Sequence, residues 1–220
     1  MADILARYDI LGAFWLTIQL AAWSAVGSLI LGTIVAVLRV SPVRVFQVIG
    51  TAYVNTFRNT PLTLLMVFSI LGLTYILGLQ LSADVSTNAF LWAIIVLSVY
   101  HAAFVCEALR SGVNTIPAGQ AEAARSIGLT FNQSLTEVLL PQAFRGAIAP
   151  LGSTLIALIK NTTVAAVIGA AEAAGLMAEI VENETGGLLI ALIFAGGFVL
   201  LTLPLGVLLT SLSQKLAVKR

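Results

Sequence analysis

The sequence LGAFWLTIQLAAWSAVGSLILGTIVAVL, residues 11–38, contains no Asp, Glu, Lys or Arg. A lipid bilayer has a hydrocarbon core about 30 Å thick, which an α-helix of roughly 20 apolar residues can cross. This stretch is long enough to do so. It is too long for the apolar core of a cleavable secretion signal, and the residues before it are acidic, so we expect it to remain as a helix.

Four further stretches are long and apolar enough to cross a bilayer, at about residues 62–79, 90–109, 148–170 and 187–212, and they contain only two charged residues, Glu107 and Lys160. The 220 residues as a whole are 59% hydrophobic and 10% charged, with a mean hydropathy of +1.03, far from the averages of soluble proteins. The sequence contains no linker rich in Pro, Gly or Ser and no obvious internal repeat. It therefore predicts an all-α polytopic membrane protein with five transmembrane helices in a single domain, residues 1–220.

The basic residues predict the orientation in the membrane, because Lys and Arg near the ends of spans stay in the cytoplasm. An outside N-terminus and an inside C-terminus leave Arg7 outside and Lys160 within the membrane. The net charge of +1 gives no indication of nucleic-acid binding. A multi-pass protein of a cell membrane is expected, with nine basic residues inside: Arg39, Arg44, Arg58, Arg110, Arg125, Arg145, Lys215, Lys219 and Arg220.

The longest polar connection, at about residues 111–146, is predicted to be a cytoplasmic loop containing two short helices. Pro117 suits the first position of a helix of about three turns, and Gly128 suits its C-terminal stop. Thr130 and Gln133 have the spacing of a capping box, which starts a second helix that Pro141 is expected to end. The result is a helix-glycine-helix elbow.

This elbow resembles the loop of permeases of ATP-binding-cassette importers of bacterial cell membranes. Their loop has Glu-Ala-Ala, three residues and Gly, then roughly nine residues and an apolar residue before Leu-Pro. The chain has Glu122-Ala123-Ala124, then Gly128, then Leu139-Leu140-Pro141. The resemblance implies that the first helix inserts into a groove of a separate ATPase. It assigns the coupling role to Glu122, Ala123, Ala124, Gly128 and Pro141.

Two other segments resemble polar amino-acid permeases within that family. FRNTPL at residues 57–62 and ALIKNTT at residues 157–163 match its patterns, except that Thr163 stands where Ser or Ala is commoner. Together with RVSP at 39–42, YVNT at 53–56 and NTPLT at 59–63, they look like the actinobacterial glutamate uptake permeases. The resemblance implies an acidic amino-acid substrate, with glutamine, arginine or histidine as alternatives.

Lys160 lies near the centre of the fourth predicted span, where an ammonium group is costly and usually faces a polar cavity. Neighbouring hydroxyl and amide groups make a midplane site for a substrate carboxylate plausible. Two alternatives remain open. Lys160 pairs with Glu107 or with backbone carbonyls only to hold helices together, and Arg58 acts as a gate or only follows the charge rule. The candidate substrate-binding residues are Lys160, Asn161, Thr162, Thr163, Thr154 and Arg58.

The sequence has no Gly-x-x-x-x-Gly-Lys-Ser/Thr phosphate loop, so the energy is expected to come from outside the chain. We expect no catalytic residue, metal site or cofactor in this chain, with ATP and Mg²⁺ bound by the partner ATPase. The expected partners are a second permease subunit, identical or homologous, two copies of the ATPase and an extracellular solute-binding protein. That protein would contact an acidic outer rim of Glu179, Glu182 and Glu184, although a merely solvated loop is equally consistent.

Two other classes of function remain open. The first is an ion- or proton-coupled carrier that uses Lys160, Glu107 and His101 as a relay and needs no ATPase. For His101, a buried core residue is the simpler interpretation. The second is a membrane assembly subunit that transports nothing. The single cysteine, Cys106, excludes a disulfide within the chain and is expected to be a buried thiol.

Overall fold

A computed structural model describes residues 7–184 and 186–216, and this part of the chain is helical without strands. Four of its helices are long and apolar enough to cross a membrane. They are α1 (Ile10–Val40), α4 (Val85–Asn114), the unbroken helix Phe131–Ile168 and α9 (Gly187–Leu216). The predicted second span, residues 62–79, falls on the second arm of a bent pair of helices. The pair makes a fifth crossing when its two arms are counted as one span.

The first arm of the bent pair is a helix that the sequence analysis did not predict. Helix α2 (Arg44–Asn59) is followed by α3 (Leu62–Phe68), which continues as a π-helix (Ser69–Ile76), and the two arms meet at 96°. Pro61 lies at the break, and the residue before a proline is biased away from helical geometry. The mixed polarity of residues 44–59 hid the helix, because their apolar residues follow a helical period without forming a continuous apolar run.

The fourth span is longer than predicted and includes the second half of the elbow. Helix α6 (Phe131–Gln133) continues through a π-helix (Ser134–Leu139) into α7 (Leu140–Asn161) and a 3₁₀ segment (Thr162–Ile168). The prediction that Pro141 ends a separate helix is therefore wrong. Pro141 lies in the first turn of α7, directly after the π-helix, and such a local change in helical winding accommodates the missing proline N–H.

Close packing of α1 and α4 organises the bundle, since these two helices make the most extensive contact of any pair. Small residues permit it: a Cβ built at Gly32 of α1 would lie 2.6 Å from the Val105 side chain of α4. Gly112 at the inner end of α4 approaches the backbone of α7 in the same way. Glycine packing of this kind is typical of membrane helices, where backbones must approach for van der Waals contact.

Three buried apolar clusters follow one another along the bundle. Around Val35, Val54 and Cys106, α1, α2 and α4 pack together at the end that carries the basic residues. A middle cluster joins α1, α3, α4 and the 3₁₀ segment. At the opposite end, α8 (Ala173–Asn183) packs on α9 through Ile180 and Phe194. The outer loop predicted at this end thus contains a helix.

The charged residues are divided between the two ends as the sequence predicts. Arg39, Arg58 and Arg110 meet at one end, and Arg7 binds Glu184 across 2.6 Å at the other. The positive-inside rule assigns the first end to the cytoplasm. Residues Lys219 and Arg220, which were also predicted to lie inside, fall outside the described part of the chain.

Candidate functional site

The elbow between α4 and the fourth span has the local structure that its sequence predicts. Helix α5 (Ala118–Ser126) begins one residue later than predicted, because Pro117 occupies the N-cap position and not the first helical position. Its nine residues make about two and a half turns, slightly fewer than the expected three. The Thr130 hydroxyl accepts a hydrogen bond from the Gln133 N–H, and the Gln133 side chain accepts one from the Thr130 N–H, completing the capping box.

Gly128 ends α5 in the left-handed region, with φ of +88°. The Gly128 N–H donates to Arg125 O at 3.0 Å, and the Leu129 N–H donates to Ala124 O at 3.2 Å. This pair of bonds is the Schellman motif, which satisfies carbonyl groups left free at the end of a helix. Only a residue without Cβ adopts this conformation at little cost, so the predicted glycine stop is confirmed.

The surface of the elbow is open for contact with another protein. Glu122 and Ala123 are exposed, while Ala124 is buried against the second half of the elbow. Two large apolar residues also face outward, Ile127 at 78% and Phe131 at 63% exposure. Exposed apolar side chains next to a charged helix are characteristic of a protein contact surface. Pro141 is also exposed, in the first turn of α7, beyond the π-helix that follows the elbow.

The elbow is joined directly to the predicted substrate segment. Because the helix is continuous from Phe131 to Ile168, Lys160 lies on the same helix as the capping box. The two are about 45 Å apart along the axis at the usual helical rise. At Asn161 the winding changes from α to 3₁₀. A change of this kind within a helix often marks a functional hinge.

The residues predicted around Lys160 are not equally available. Thr154, Thr162 and Thr163 donate their hydroxyl protons to carbonyl groups of their own helix at 2.7–3.0 Å, and Thr162 is fully buried. Lys160 is exposed and has no carboxylate within 4.0 Å among the described residues. Lys160 and the half-buried Asn161 are therefore the groups of this segment best placed to meet a ligand.

Glu107 does not pair with Lys160, so the alternative of an interhelical lock between them is wrong. The Glu107 carboxylate hydrogen-bonds the Arg39 guanidinium of α1 and lies 3.8 Å from Arg58 of α2 and 3.7 Å from Arg110 of its own helix. One carboxylate therefore faces three guanidinium groups. We call Glu107, Arg39, Arg58 and Arg110 the inner cluster.

Arg58 also connects the inner cluster with the aromatic side chains of α4. Its guanidinium lies 5.7 Å from the centre of the Phe104 ring, and Phe104 neighbours His101. His101 is buried, as predicted, and its Nε2 lies 3.2 Å from the Asn161 Nδ2. The structure thus aligns Arg58 and Asn161 along one face of α4, although sequence spacing gave no sign of this connection.

A buried carboxylate near the outer end, Glu172, is also part of the architecture. Glu172 is fully buried at the start of α8, where its Oε1 accepts from the Gly175 N–H at 3.0 Å. The Thr17 hydroxyl of α1 lies 3.3 Å from its Oε2 and also accepts from the Ala173 N–H. Burial raises the pKa of Glu172 above its ordinary value, although these hydrogen bonds act in the opposite direction.

Comparison with known proteins connects these features to a function. The family described as "binding-protein-dependent transport system inner membrane component" matches residues 28–220. The chain belongs to this family. As an inner membrane component, it is a multi-pass protein of the cell membrane with a role in transport.

Two relatives of this inner membrane component carry names that state a cargo. It is 53% identical over 96% of both chains to the glutamate transport system permease protein GluC of Corynebacterium efficiens. It is 34% identical to the probable glutamine ABC transporter permease protein GlnM of Bacillus subtilis, over 92% of this chain and 91% of that one. Among solved structures, an amino acid ABC transporter crystallised with histidines matches with a TM-score of 0.84 at 24% identity, covering 94% and 93% of the chains, which confirms the fold.

Proposed function

We propose that this chain is the membrane subunit of an ATP-driven importer whose cargo is an acidic amino acid, with glutamate first. The observation that carries the proposal is the unbroken helix Phe131–Ile168, which joins the exposed elbow to Lys160. A displacement of the elbow would be transmitted along this continuous helix to the Lys160 segment. This is the connection that a machine driven by an external ATPase needs.

The elbow supports the partner and cofactor assignments. We propose that ATP and Mg²⁺ are bound by two copies of an ATPase subunit, and that this chain neither binds nor hydrolyses the nucleotide. Glu122 and Ala123 offer a charged edge and a small exposed side chain, and Ile127 and Phe131 offer apolar area. We assign these exposed groups, with the rigid turn at Gly128, to docking on the ATPase.

The charge of the described residues supports the choice of cargo. Lys160 has no anionic partner among the residues that the structure describes, and the inner cluster has two more positive than negative charges. A glutamate or aspartate carries two carboxylates, so one can pair with Lys160 while the molecule as a whole compensates a positive surface. The name of the 53% identical relative agrees with this choice, and the name of the glutamine relative keeps a neutral polar amino acid as the alternative.

We further propose that a second permease subunit, identical or homologous, completes the pathway, and that a solute-binding protein delivers the cargo at the outer face. Glu179 and Glu182 are exposed there and available for such a contact, whereas Glu184 is already bound to Arg7. An ion-coupled carrier is less well supported. Glu107 is held by arginines and His101 by Leu97 O and Asn161, so Lys160, Glu107 and His101 do not form a relay.

The test of coupling is ATP-driven uptake of radiolabelled glutamate by proteoliposomes that contain the complete complex. Gly128→Ala should reduce uptake about tenfold or more while leaving glutamate binding intact, because its φ of +88° strains any residue with a Cβ. Gly119→Ala is the matched control, since it lies in open space on α5 and alanine favours a helix. Uptake that continues without ATP, or equal activity of the two variants, would refute the coupling assignment.

The test of cargo uses the same proteoliposomes. Unlabelled aspartate should compete with glutamate better than glutamine, arginine or histidine does. Lys160→Met should weaken uptake at least tenfold and Lys160→Arg much less, because the arginine keeps the positive charge. Equal competition by neutral amino acids, or full uptake by Lys160→Met, would exclude Lys160 as the carboxylate partner.

A further inference from the structure

We propose that His101 is a positioning residue that fixes the orientation of the Asn161 amide. In this orientation the carbonyl Oδ1 of Asn161 points away from His101 and is free to accept a hydrogen bond from the α-ammonium group of the cargo. The inference rests on the proposed function, because it takes the Lys160 segment as the place where an amino acid binds. It gives a role in this site to His101, a buried residue of α4.

The hydrogen bonds of His101 define which ring nitrogen carries the proton. Nδ1 lies 3.2 Å from the carbonyl oxygen of Leu97, one turn earlier in α4. A carbonyl oxygen can only accept, so Nδ1 must be the donor. In a neutral imidazole, Nε2 is then an acceptor.

The acceptor at Nε2 determines how the Asn161 amide is turned. The Asn161 Nδ2, which can only donate, lies 3.2 Å from Nε2. The carbonyl Oδ1 must therefore point away from His101. It accepts no hydrogen bond within the described part of the chain, and Asn161 is only half-buried.

The surroundings favour the neutral ring that this arrangement requires. His101 is 1% exposed, and its ring packs edge-on to Tyr100 at 5.2 Å and near Phe104 at 6.0 Å. A charged imidazolium would be costly among these groups. It would also need an acceptor at Nε2, which would turn Oδ1 toward His101 and the amide N–H groups toward the ligand.

Two residues that follow one another in the sequence carry complementary groups. Lys160 supplies a cation, and Asn161, held in this orientation, supplies a neutral acceptor on the next residue. An amino acid presents carboxylate groups and an α-ammonium, which match a cation and an acceptor respectively. The pair therefore distinguishes an amino acid from a diacid that lacks the amino group.

The experiment measures equilibrium binding of radiolabelled glutamate and of glutarate, the diacid without an α-amino group, to the purified permease and ATPase complex without the solute-binding protein. Wild type should prefer glutamate. Asn161→Leu and His101→Leu should each weaken glutamate binding about tenfold and leave glutarate binding unchanged, because each loses the oriented acceptor. His101→Gln, whose side-chain carbonyl can still accept from Asn161, should retain most of the preference.

The double variant separates positioning from packing. If His101 acts through Asn161, His101→Leu in the Asn161→Leu background should cause no further loss of glutamate binding. Additive losses, equal weakening of glutamate and glutarate, or failure of the glutamine variant to retain the preference would overturn the role of His101. Failure of wild type to bind glutamate, or an unchanged affinity in Asn161→Leu, would instead refute the site itself.

Discussion

Two glutamates at opposite ends of the bundle are stabilised in different ways. Glu107 of the inner cluster is partly exposed, at 27%, and faces three arginines from α1, α2 and α4. Glu172 at the outer end is fully buried and accepts hydrogen bonds from Thr17 and a backbone N–H. Charge pairs near solvent contribute little and rearrange easily, whereas buried hydrogen bonds are costly to leave unmade. We infer that the outer end is the fixed end of the bundle and the inner end the adjustable one.

Removal of Glu172 should have the largest effect on stability. Glu172→Ala leaves the Gly175 N–H without its cap in a buried place, at a cost of about 2–3 kcal/mol, while the Thr17 hydroxyl keeps Ala13 O at 3.1 Å as an acceptor. Glu172→Gln keeps an acceptor and should lose much less. Thermal unfolding in detergent can be followed with a thiol-reactive dye, because Cys106 is the single cysteine and is buried. Equal melting temperatures for wild type and Glu172→Ala would contradict the fixed outer end.

Removal of Glu107 should have a smaller effect. Glu107→Ala leaves Arg39, whose side chain is 12% exposed, beside two other guanidinium groups, at a cost of about 1–2 kcal/mol. The loss should decrease in high salt, which screens the repulsion among the arginines. Melting temperatures at low and high salt test this point, with Glu172→Ala as the comparison variant whose loss should not depend on salt. A loss from Glu107→Ala that is insensitive to salt would argue against an electrostatic inner cluster.

The pH dependence of stability should differ between wild type and Glu172→Gln. Because burial raises the folded pKa of Glu172, the folded state binds the proton more tightly than the unfolded chain does. This contribution to stability is present below the ordinary value of 4.5 and is lost as the pH rises through the raised folded pKa. Melting temperatures over that range should fall more steeply for wild type than for the variant. Parallel curves would mean that Glu172 titrates normally.

The ion pair at the outer surface should contribute least. Arg7→Ala removes the partner of Glu184, but the Arg7 side chain is 66% exposed, so the loss should stay below about 0.5 kcal/mol. This variant also tests the comparison, because it removes a charge at the outer end without touching Glu172. A loss as large as that of Glu107→Ala would show that charge pairs matter equally at both ends.

The sequence predicted those parts of the molecule whose structure depends on residues close together in the chain. Apolar runs located the spans, and the local chemistry of Gly128, Thr130 and Gln133 predicted the elbow residue by residue. Helix α2 was missed, because polar residues such as Gln47, Asn55 and Arg58 interrupt its apolar residues. Pro141 was misread as a stop, because a proline in the first turn after a π-helix is compatible with a continuing helix.

The candidate site depends on contacts that sequence spacing does not contain. Glu107 and Lys160 have opposite charges and neighbouring spans, yet the rotation of α4 turns Glu107 toward Arg39 instead. The same rotation brings His101 to Asn161. Residue types therefore suggested the charged groups, while their pairing depended on how the helices are rotated about their axes.

The joint of the elbow has a thermodynamic consequence for assembly. Residues 127–130 connect two helices and are already fixed by the Schellman bonds and the capping box. Ordering a residue of flexible chain costs about 1–2 kcal/mol in conformational entropy, so a disordered joint of this length would lower docking affinity by several kcal/mol. Here that cost is incurred when the chain folds. The proposed ATPase partner would therefore meet a surface whose joint is already ordered, and more of the contact free energy would remain for affinity.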